Sequence, residues 1–326
     1  MSVLRAVVVG AGTFGRNHVR AITGLPDIEL NGVVDTDFSR AQAVGQEFNS
    51  QPFADVNEIL GRADAAIVAT PTSTHEVVAT RLLEAGIDVL VEKPIAHTAE
   101  AGFRLGRLAE SNGRILQVGH LERFNPAVQA LERVLTIPLF FEVHRLSVFT
   151  PRSLDVDVVL DLMIHDLDIV LNFIGSMPDE IRAAGISVLS QRVDIANVRL
   201  AFASGCVANL TASRVSTEKV RKLRVFQPRQ YISVDYQRQD AMRVAVNGGD
   251  APMPGIGFEQ LPVKRGEPLT SELKSFFASV RDRTIPRVTA VQASNALVVA
   301  EAILAKIKEH GDLVAETVRR RGAISL

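Results

Sequence analysis

The chain has no tryptophan, two tyrosines and a single cysteine, Cys206, among 326 residues. One cysteine excludes an intramolecular disulfide, and with it the small secreted folds that depend on bridges; the usage fits a reducing, cytoplasmic setting. Charge of one sign is missing too. The 36 Lys and Arg are offset by 37 Asp and Glu, a net charge of −1. A nucleic-acid partner, which needs a basic excess on one face, is therefore not expected. No run of about 18 apolar residues occurs, so no membrane span is expected. The apolar stretch of MSVLRAVVVGAGTFG is too short for a signal peptide. His18, His97, His144 and His310 show no ligand-like spacing with cysteine or acid, so no metal is expected. Internal repeats, low-complexity segments and Pro-rich linkers are absent.

What is present is ordinary in bulk and specific in pattern. An apolar content of 47% and a charged content of 22% describe a globular chain, and its length allows two domains with separate cores. In the first third, compact apolar runs alternate with helix-like stretches. The strands are read at 4–9, 28–35, 64–70, 87–94 and 114–119, and HEVVATRLLEAG places Gly86 as a helix C-cap. Continuous apolar strands separated by helices predict a parallel, doubly wound sheet covered on both faces. The first domain is assigned to residues 1–121.

The first strand runs into Gly10-Ala11-Gly12-Thr13-Phe14-Gly15, and Asp35 stands 20 residues after Gly15, closing the next strand. Strand, glycine turn, helix and acid together are the context in which a dinucleotide is held. Gly10 permits the tight turn, Gly12 lets a pyrophosphate approach the backbone, and Gly15 lets helix and strand pack closely. The helix N-terminus then offers its unpaired N–H groups to phosphate. Asp35 accepts from ribose hydroxyls and repels a 2′-phosphate, which favours NAD over NADP, with Arg40 close enough in sequence to complicate that preference. The fourth strand ends in Glu92-Lys93-Pro94, on the carboxyl side where open sheets bind ligands. The proline holds Lys93 extended and ends the strand.

After residue 121 strand-like runs succeed one another, at 138–148, 180–190, 193–204 and 206–214, then KLRVFQ and YISVDY. Ser204-Gly205 reads as a two-residue hairpin turn. The second domain, 122–326, is thus α+β with a large, mostly antiparallel sheet, closed by helices near 270–283 and 290–309. Between its first strands lies DVDVVLDLMIHDLDIVLNFIG, from Asp155 to Gly175. In this apolar span Asp157, Asp161, His165 and Asp168 recur at helical spacing, which predicts one ionisable stripe on a buried helix. A histidine on such a stripe can take a proton from a hydroxyl, with an acid one turn earlier to orient it.

GAGTFG, EKP at 92–94 and DxxxH at 161–165, in that order, resemble the Gfo/Idh/MocA family of NAD(P)-dependent sugar and cyclitol oxidoreductases, across essentially the whole chain. The resemblance implies that Lys93, Asp161 and His165 converge on substrate beside the nicotinamide, with His165 or Lys93 as the base. It also implies that Thr70, Pro71, Thr72 and His75 lie along the riboses. One departure stands out: many members have a Gly-Gly pair where this chain has Asp157-Val158-Val159-Leu160. His120, Arg123 and Asn125 either reach the nicotinamide or substrate or brace the domains. The run from Arg214 to Arg229 could hold a diphosphate, but reads more simply as the solvated side of strands.

Within the family, VVLDLMIHDLDIVLNFIGSMP and RVSTEKVRKLRVFQPRQYISVDY are similar to the branch that oxidises the 3-hydroxyl of UDP-N-acetylglucosamine in lipid A biosynthesis, feeding an aminotransferase. Alternatives are a dehydrogenase of a free sugar or a cyclitol such as myo-inositol, a non-catalytic NAD-sensing regulator, and an NAD-dependent glycosidase. A homodimer or homotetramer is expected, through a sheet face carrying Ile181, Ile186, Val198, Leu200 and Leu210.

Overall fold

The computed structural model describes residues 3–150, 156–247 and 255–320, so Asp155 and the four residues before it lie outside the described residues. Two compact units form. The first runs to Phe124 and takes back Glu267–Asn295; the second comprises Asn125–Gly266 and the chain from Ala296 onward. A single boundary after residue 121 is therefore corrected. The chain returns because α7 (Pro268–Asp282) carries Leu273, Phe276, Phe277 and Val280, which join the apolar cluster of the first unit. Composition alone does not reveal which core a late amphipathic helix completes.

The first unit is a six-stranded parallel sheet of order β3-β2-β1-β4-β5-β6. Its strands are β1 (Leu4–Val9), β2 (Ile28–Val34), β3 (Pro52–Phe53), β4 (Ala65–Val68), β5 (Asp88–Glu92) and β6 (Leu116–Gly119). Helices α1 (Thr13–Thr23), α2 (Phe38–Phe48), α3 (Thr72–Glu84) and α4 (Ala99–Ser111) make the crossovers. Ala6 to Val8, Ala65 to Val68 and Val89 to Val91 are all 0% exposed, as a sheet covered on both faces requires. Local chemistry sets the helix ends: Asp37 caps α2, Thr98 caps α4, and Gly86 takes a positive φ of 79° just past α3.

The second unit opens with α5 (Pro126–Val134) and holds an eight-stranded sheet of order β14-β13-β12-β11-β7-β10-β9-β8. The strands are β7 (Phe140–Val148), β8 (Glu180–Ile186), β9 (Ile195–Ala201), β10 (Val207–Ser216), β11 (Val220–Gln227), β12 (Gln230–Asp235), β13 (Asp240–Asn247) and β14 (Gly255–Gln260). Every pair is antiparallel except β7 with β10. The β9–β10 turn is longer than expected: Phe202 pairs with Cys206, and Gly205 takes a φ of 81° between them. Residues 203–205 thus make a three-residue connection that ends in a left-handed glycine.

A π-helical turn (Val159–Met163) and α6 (Ile164–Ile174) lie between β7 and β8. They cover the sheet face that carries Phe141, which stacks on Phe173 with ring centroids 6.5 Å apart. Register then removes Val198, Leu200 and Leu210 from the expected association face, while Ile186 lies on the opposite face and is 58% exposed. Phe141 pairs with Ala208, Ala208 with Leu200, and Leu210 with Val198, so these side chains share the helix-covered side. Val198 and Leu200 are 0% exposed and Leu210 is 1% exposed. The opposite face carries Phe140, Phe226 and Tyr231, whose rings succeed one another at 5.7 and 5.3 Å. The last helix, α8 (Ala290–Arg320), is long and apolar enough to cross a membrane by length and composition, but half of its apolar window is buried in the protein. Ile303 and Ile307 of α8 are core residues.

Candidate active site

At the carboxyl edge of the first sheet, β1 passes into α1 through the glycine turn. Gly10 has a φ of 102°, and a Cβ there would lie 2.6 Å from the Ala69 carbonyl oxygen. A Cβ on Gly15 would sit 1.7 Å from the Gly10 oxygen. Neither position admits a side chain. Above Gly12 the space is open, and Gly12, Thr13 and Phe14 are exposed. Gly12 is the α1 N-cap, no side chain caps that helix and its first turn has no acid, so its end favours a phosphate.

Asp35 is half-buried at the end of β2. Its carboxylate accepts the Ala11 amide at 2.7 Å and the Asp37 amide at 2.9 Å, so it also pins the glycine turn. Each oxygen keeps a second lone pair for a ribose hydroxyl. Arg40 is paired with Asp37 at 3.1 Å and is not directed to Asp35 by any hydrogen bond. A cradle that excludes Cβ atoms, an uncapped helix end and a carboxylate one strand over fit a dinucleotide.

The next two strand ends behave differently from one another. Thr70 stands just past β4, and its hydroxyl accepts from Thr74 at 2.9 Å; Pro71 and Thr72 begin α3. His75, expected along the ribose, is 1% exposed and uses both ring nitrogens inside the protein. Nδ1 meets the Pro94 carbonyl and Nε2 the Thr70 carbonyl, each at 2.9 Å. Burial pushes its pKa down although both carbonyls favour the proton. His75 is thus a brace between two loops, its neutral ring donating to one of the two carbonyls.

Glu92 ends β5. Its carboxylate meets His18 Nε2 at 2.7 Å and accepts the Lys93 amide at 3.3 Å. Burial works to raise the Glu92 pKa, but the His18 bond and the Lys93 charge more than offset it and hold the carboxyl below its ordinary range. Glu92 is therefore committed to its own protein neighbours, and the next residue, Lys93, is half-buried. His120, directly after β6, is 1% exposed. Of its neighbours, Arg123 donates to the Arg287 carbonyl at 3.2 Å, and Asn125 caps α5 and donates to the Tyr236 carbonyl at 3.0 Å. Both brace their own unit.

In the second unit the expected stripe is broken. Residues 159–163 form a π turn, which widens the helix and rotates every side chain beyond it about the axis. Asp157 precedes it and accepts the Val193 amide at 2.9 Å, tying the segment to the loop before β9. That loop is itself held by Asp194. Burial works to raise its carboxyl, yet the Ser190 hydroxyl and the amides of Leu189, Val188 and Ser190 bring it down to about 2. Asp168 is 2% exposed, inside the core. Asp157, Asp161 and His165 remain half-buried, with Leu160 and Leu162 beside them, but Asp157 is spent on the Val193 amide. The sequence pattern did not single out Asp166, one residue past His165, which forms a bidentate pair with Arg145 at 2.6 and 2.8 Å, both side chains 2% exposed. The available signal was an arginine on the inward alternation of β7, after Phe141 and Val143.

These features define a nicotinamide-dependent oxidoreductase, with the cofactor cradle in the first unit and an acid–histidine pair in the second. An oxidoreductase family with an NAD-binding Rossmann fold matches residues 4–120, and the GFO/IDH/MocA C-terminal domain matches residues 133–232. The chain is 35% identical to the UDP-N-acetylglucosamine 3-dehydrogenase of Acidithiobacillus ferrooxidans over 85% of its own length and 88% of that protein. It belongs to the Gfo/Idh/MocA family and is an NAD-dependent oxidoreductase. The solved structure of that dehydrogenase, GnnA, superimposes with a TM-score of 0.89, covering 95% of this chain and 99% of that one at 32% identity. An inositol 2-dehydrogenase of Rhizobium meliloti is 24% identical over 94% of this chain and 97% of its own.

Proposed function

We propose that the protein oxidises the 3-hydroxyl of UDP-N-acetylglucosamine to the 3-ketone with NAD. The observation that carries this reading is the 35% identity to a UDP-N-acetylglucosamine 3-dehydrogenase over 85% of the chain, which takes in the second unit as well as the common cofactor domain. The bound nicotinamide supplies the acceptor for the hydride that leaves C3. His165 takes the hydroxyl proton, Asp161 orients the imidazole, and Lys93 hydrogen-bonds the oxygen as it gains alkoxide character. The glycine turn and the α1 N-terminus hold the pyrophosphate, and Asp35 selects NAD over NADP by excluding a 2′-phosphate. The protein works in the cytoplasm in lipid A precursor synthesis, and assembles as a homodimer or homotetramer. The half-buried aromatic row of Phe140, Phe226 and Tyr231 supports the second sheet as the interface. Oxidation of an alcohol by NAD is uphill near neutral pH, so an aminotransferase that consumes the ketone draws it forward.

The test is NADH formation with UDP-N-acetylglucosamine, free N-acetylglucosamine, glucose and myo-inositol, with and without an aminotransferase and its amino donor. Turnover is expected with the nucleotide sugar and is increased by trapping. Turnover with inositol alone replaces the substrate, and tight NAD binding without NADH from any of them makes the protein a sensor.

A further inference from the structure

One ionisable side chain has no place in the chemistry above. Glu272 on α7 is 0% exposed, and neither of its carboxyl oxygens has a hydrogen-bond partner among the described residues. A carboxylate held there would be out of water with nothing to pair with, which costs more than keeping its proton.

Its surroundings give that proton a use. Across β5 and β6, Leu90 pairs with Gln117 and Glu92 with Gly119, so all four lie on one sheet face. Leu90 shares an apolar cluster with Leu273 and Phe276, so this is the face that α7 covers. Gln117 Nε2 donates to the Glu272 carbonyl at 3.5 Å. The Glu92 carboxylate folds over Gly119, where a Cβ would come within 3.0 Å of Oε2. Burial first, and then the nearby Glu92 charge, push the Glu272 carboxyl well above its ordinary range. Other charged groups on the packed elements are engaged elsewhere: Arg16 with Glu47, Arg20 with Glu267, Asp88 with Arg283, and Arg123 with the Arg287 carbonyl. Glu122 is half-buried on the turn after β6, and α7 itself carries Lys274, Arg281 and Asp282. Among the described residues no three His, Cys, Asp or Glu groups are placed to hold a metal ion.

We propose that His18, Glu92 and Glu272 form one buried set next to Lys93, in which Glu272 holds a proton and Glu92 holds the charge. Lys93 is then offset by one negative charge rather than two. Glu272 is a positioning residue: it fixes the charge that its neighbours present to Lys93 without touching substrate. The catalytic consequence rests on Lys93 acting at the reacting oxygen; the proton on Glu272 does not.

Infrared spectroscopy in heavy water reads that proton without any substrate. The wild-type protein should keep the carbonyl stretch of a neutral carboxylic acid at neutral pH and lose it in Glu272→Gln. In Glu92→Gln, where the like charge is gone, the pH at which the band disappears should fall by on the order of one unit. The same variant should move the alkaline limb of kcat/KM to lower pH, because Lys93 loses its counter-charge. Glu272→Met, which replaces an unpaired neutral acid with an apolar group of similar length, should melt no lower than wild type. Proton counting gives the sign of the pH dependence. Folded protein binds a proton at Glu272 that unfolded chain has released, so stability falls as pH rises above the ordinary carboxylate range, and Glu272→Gln removes that slope. A wild-type protein with no neutral-acid band, a band that survives Glu272→Gln, or an unmoved midpoint in Glu92→Gln overturns the proposal. If Glu92→Gln does not fold, the wild-type and Glu272→Gln spectra and the Glu272→Met melting temperature still decide it. An infrared result as expected with no turnover on any sugar would instead overturn the substrate reading alone.

Discussion

The two units present their functional groups by opposite means. In the first, the cofactor cradle is mostly backbone: a glycine turn, a helix end and an Asp35 that accepts two amides. In the second, the candidate catalytic groups are side chains spaced along one helical segment that departs from α geometry at residues 159–163. A backbone site tolerates almost no change of residue and announces itself as glycine. A side-chain site tolerates changes around it, and depends on which turn of the helix each group occupies.

Substitutions can break or sharpen that contrast. The largest effect is expected at Gly15, where a Cβ would stand 1.7 Å from the Gly10 oxygen. Gly15→Ala should abolish measurable NAD binding by calorimetry and cost more than about 3 kcal/mol in unfolding free energy. An alanine variant that binds NAD normally would remove the backbone account. In the second unit, His165→Ala should lower kcat on the order of 10²–10⁴-fold while NAD affinity stays within about twofold, and Lys93→Ala should do the same from the first. Full activity in both would make the acid–histidine segment an ordinary helix face.

Next comes the pair beneath that segment. Asp166→Ala leaves Arg145 charged and buried, and should cost about 3–5 kcal/mol in denaturant unfolding, with a smaller loss if both are replaced by apolar residues. Equal losses for the single and double variants would mean the pair does not act as a unit. The smallest effect is expected at Asp35. Asp35→Ala should reduce the preference for NAD over NADP about tenfold, read as the ratio of dissociation constants, because only one ribose contact and one repulsion are removed. Unchanged selectivity would shift the discrimination to another group.

The contrast also explains which features the sequence made legible. The parallel sheet was legible because each strand is a continuous apolar run between helices, and a strand buried on both faces has no other pattern available. Gly10, Gly12, Gly15 and Asp35 were legible because their demands are local: a turn, a close approach and an acid one strand later. His75 was expected along the ribose from the family resemblance alone, and its two carbonyl neighbours come from residues 70 and 94. The ionisable stripe was drawn with a constant helical period. The π turn adds a residue to one turn, which leaves Asp161 and His165 half-buried, while Asp157 ties down the loop at Val193 and Asp168 is sequestered in the core. Val198, Leu200 and Leu210 were placed on the wrong face for a related reason. Period-two alternation separates the two faces of a strand, but only the register Phe141–Ala208–Leu200 says which one the helix covers.

The sequence by itself determined the doubly wound first unit, the cradle for a dinucleotide and the family, since these rest on short-range patterns that few other conformations satisfy. The tertiary structure alone decided that residues 267–295 complete the first unit rather than the second. It also decided that Arg145 neutralises Asp166 and that Glu272 lies buried near Glu92. The physical reason is the same in each case. Burial energy and electrostatic coupling depend on distances between side chains far apart along the chain, and no local pattern encodes those distances.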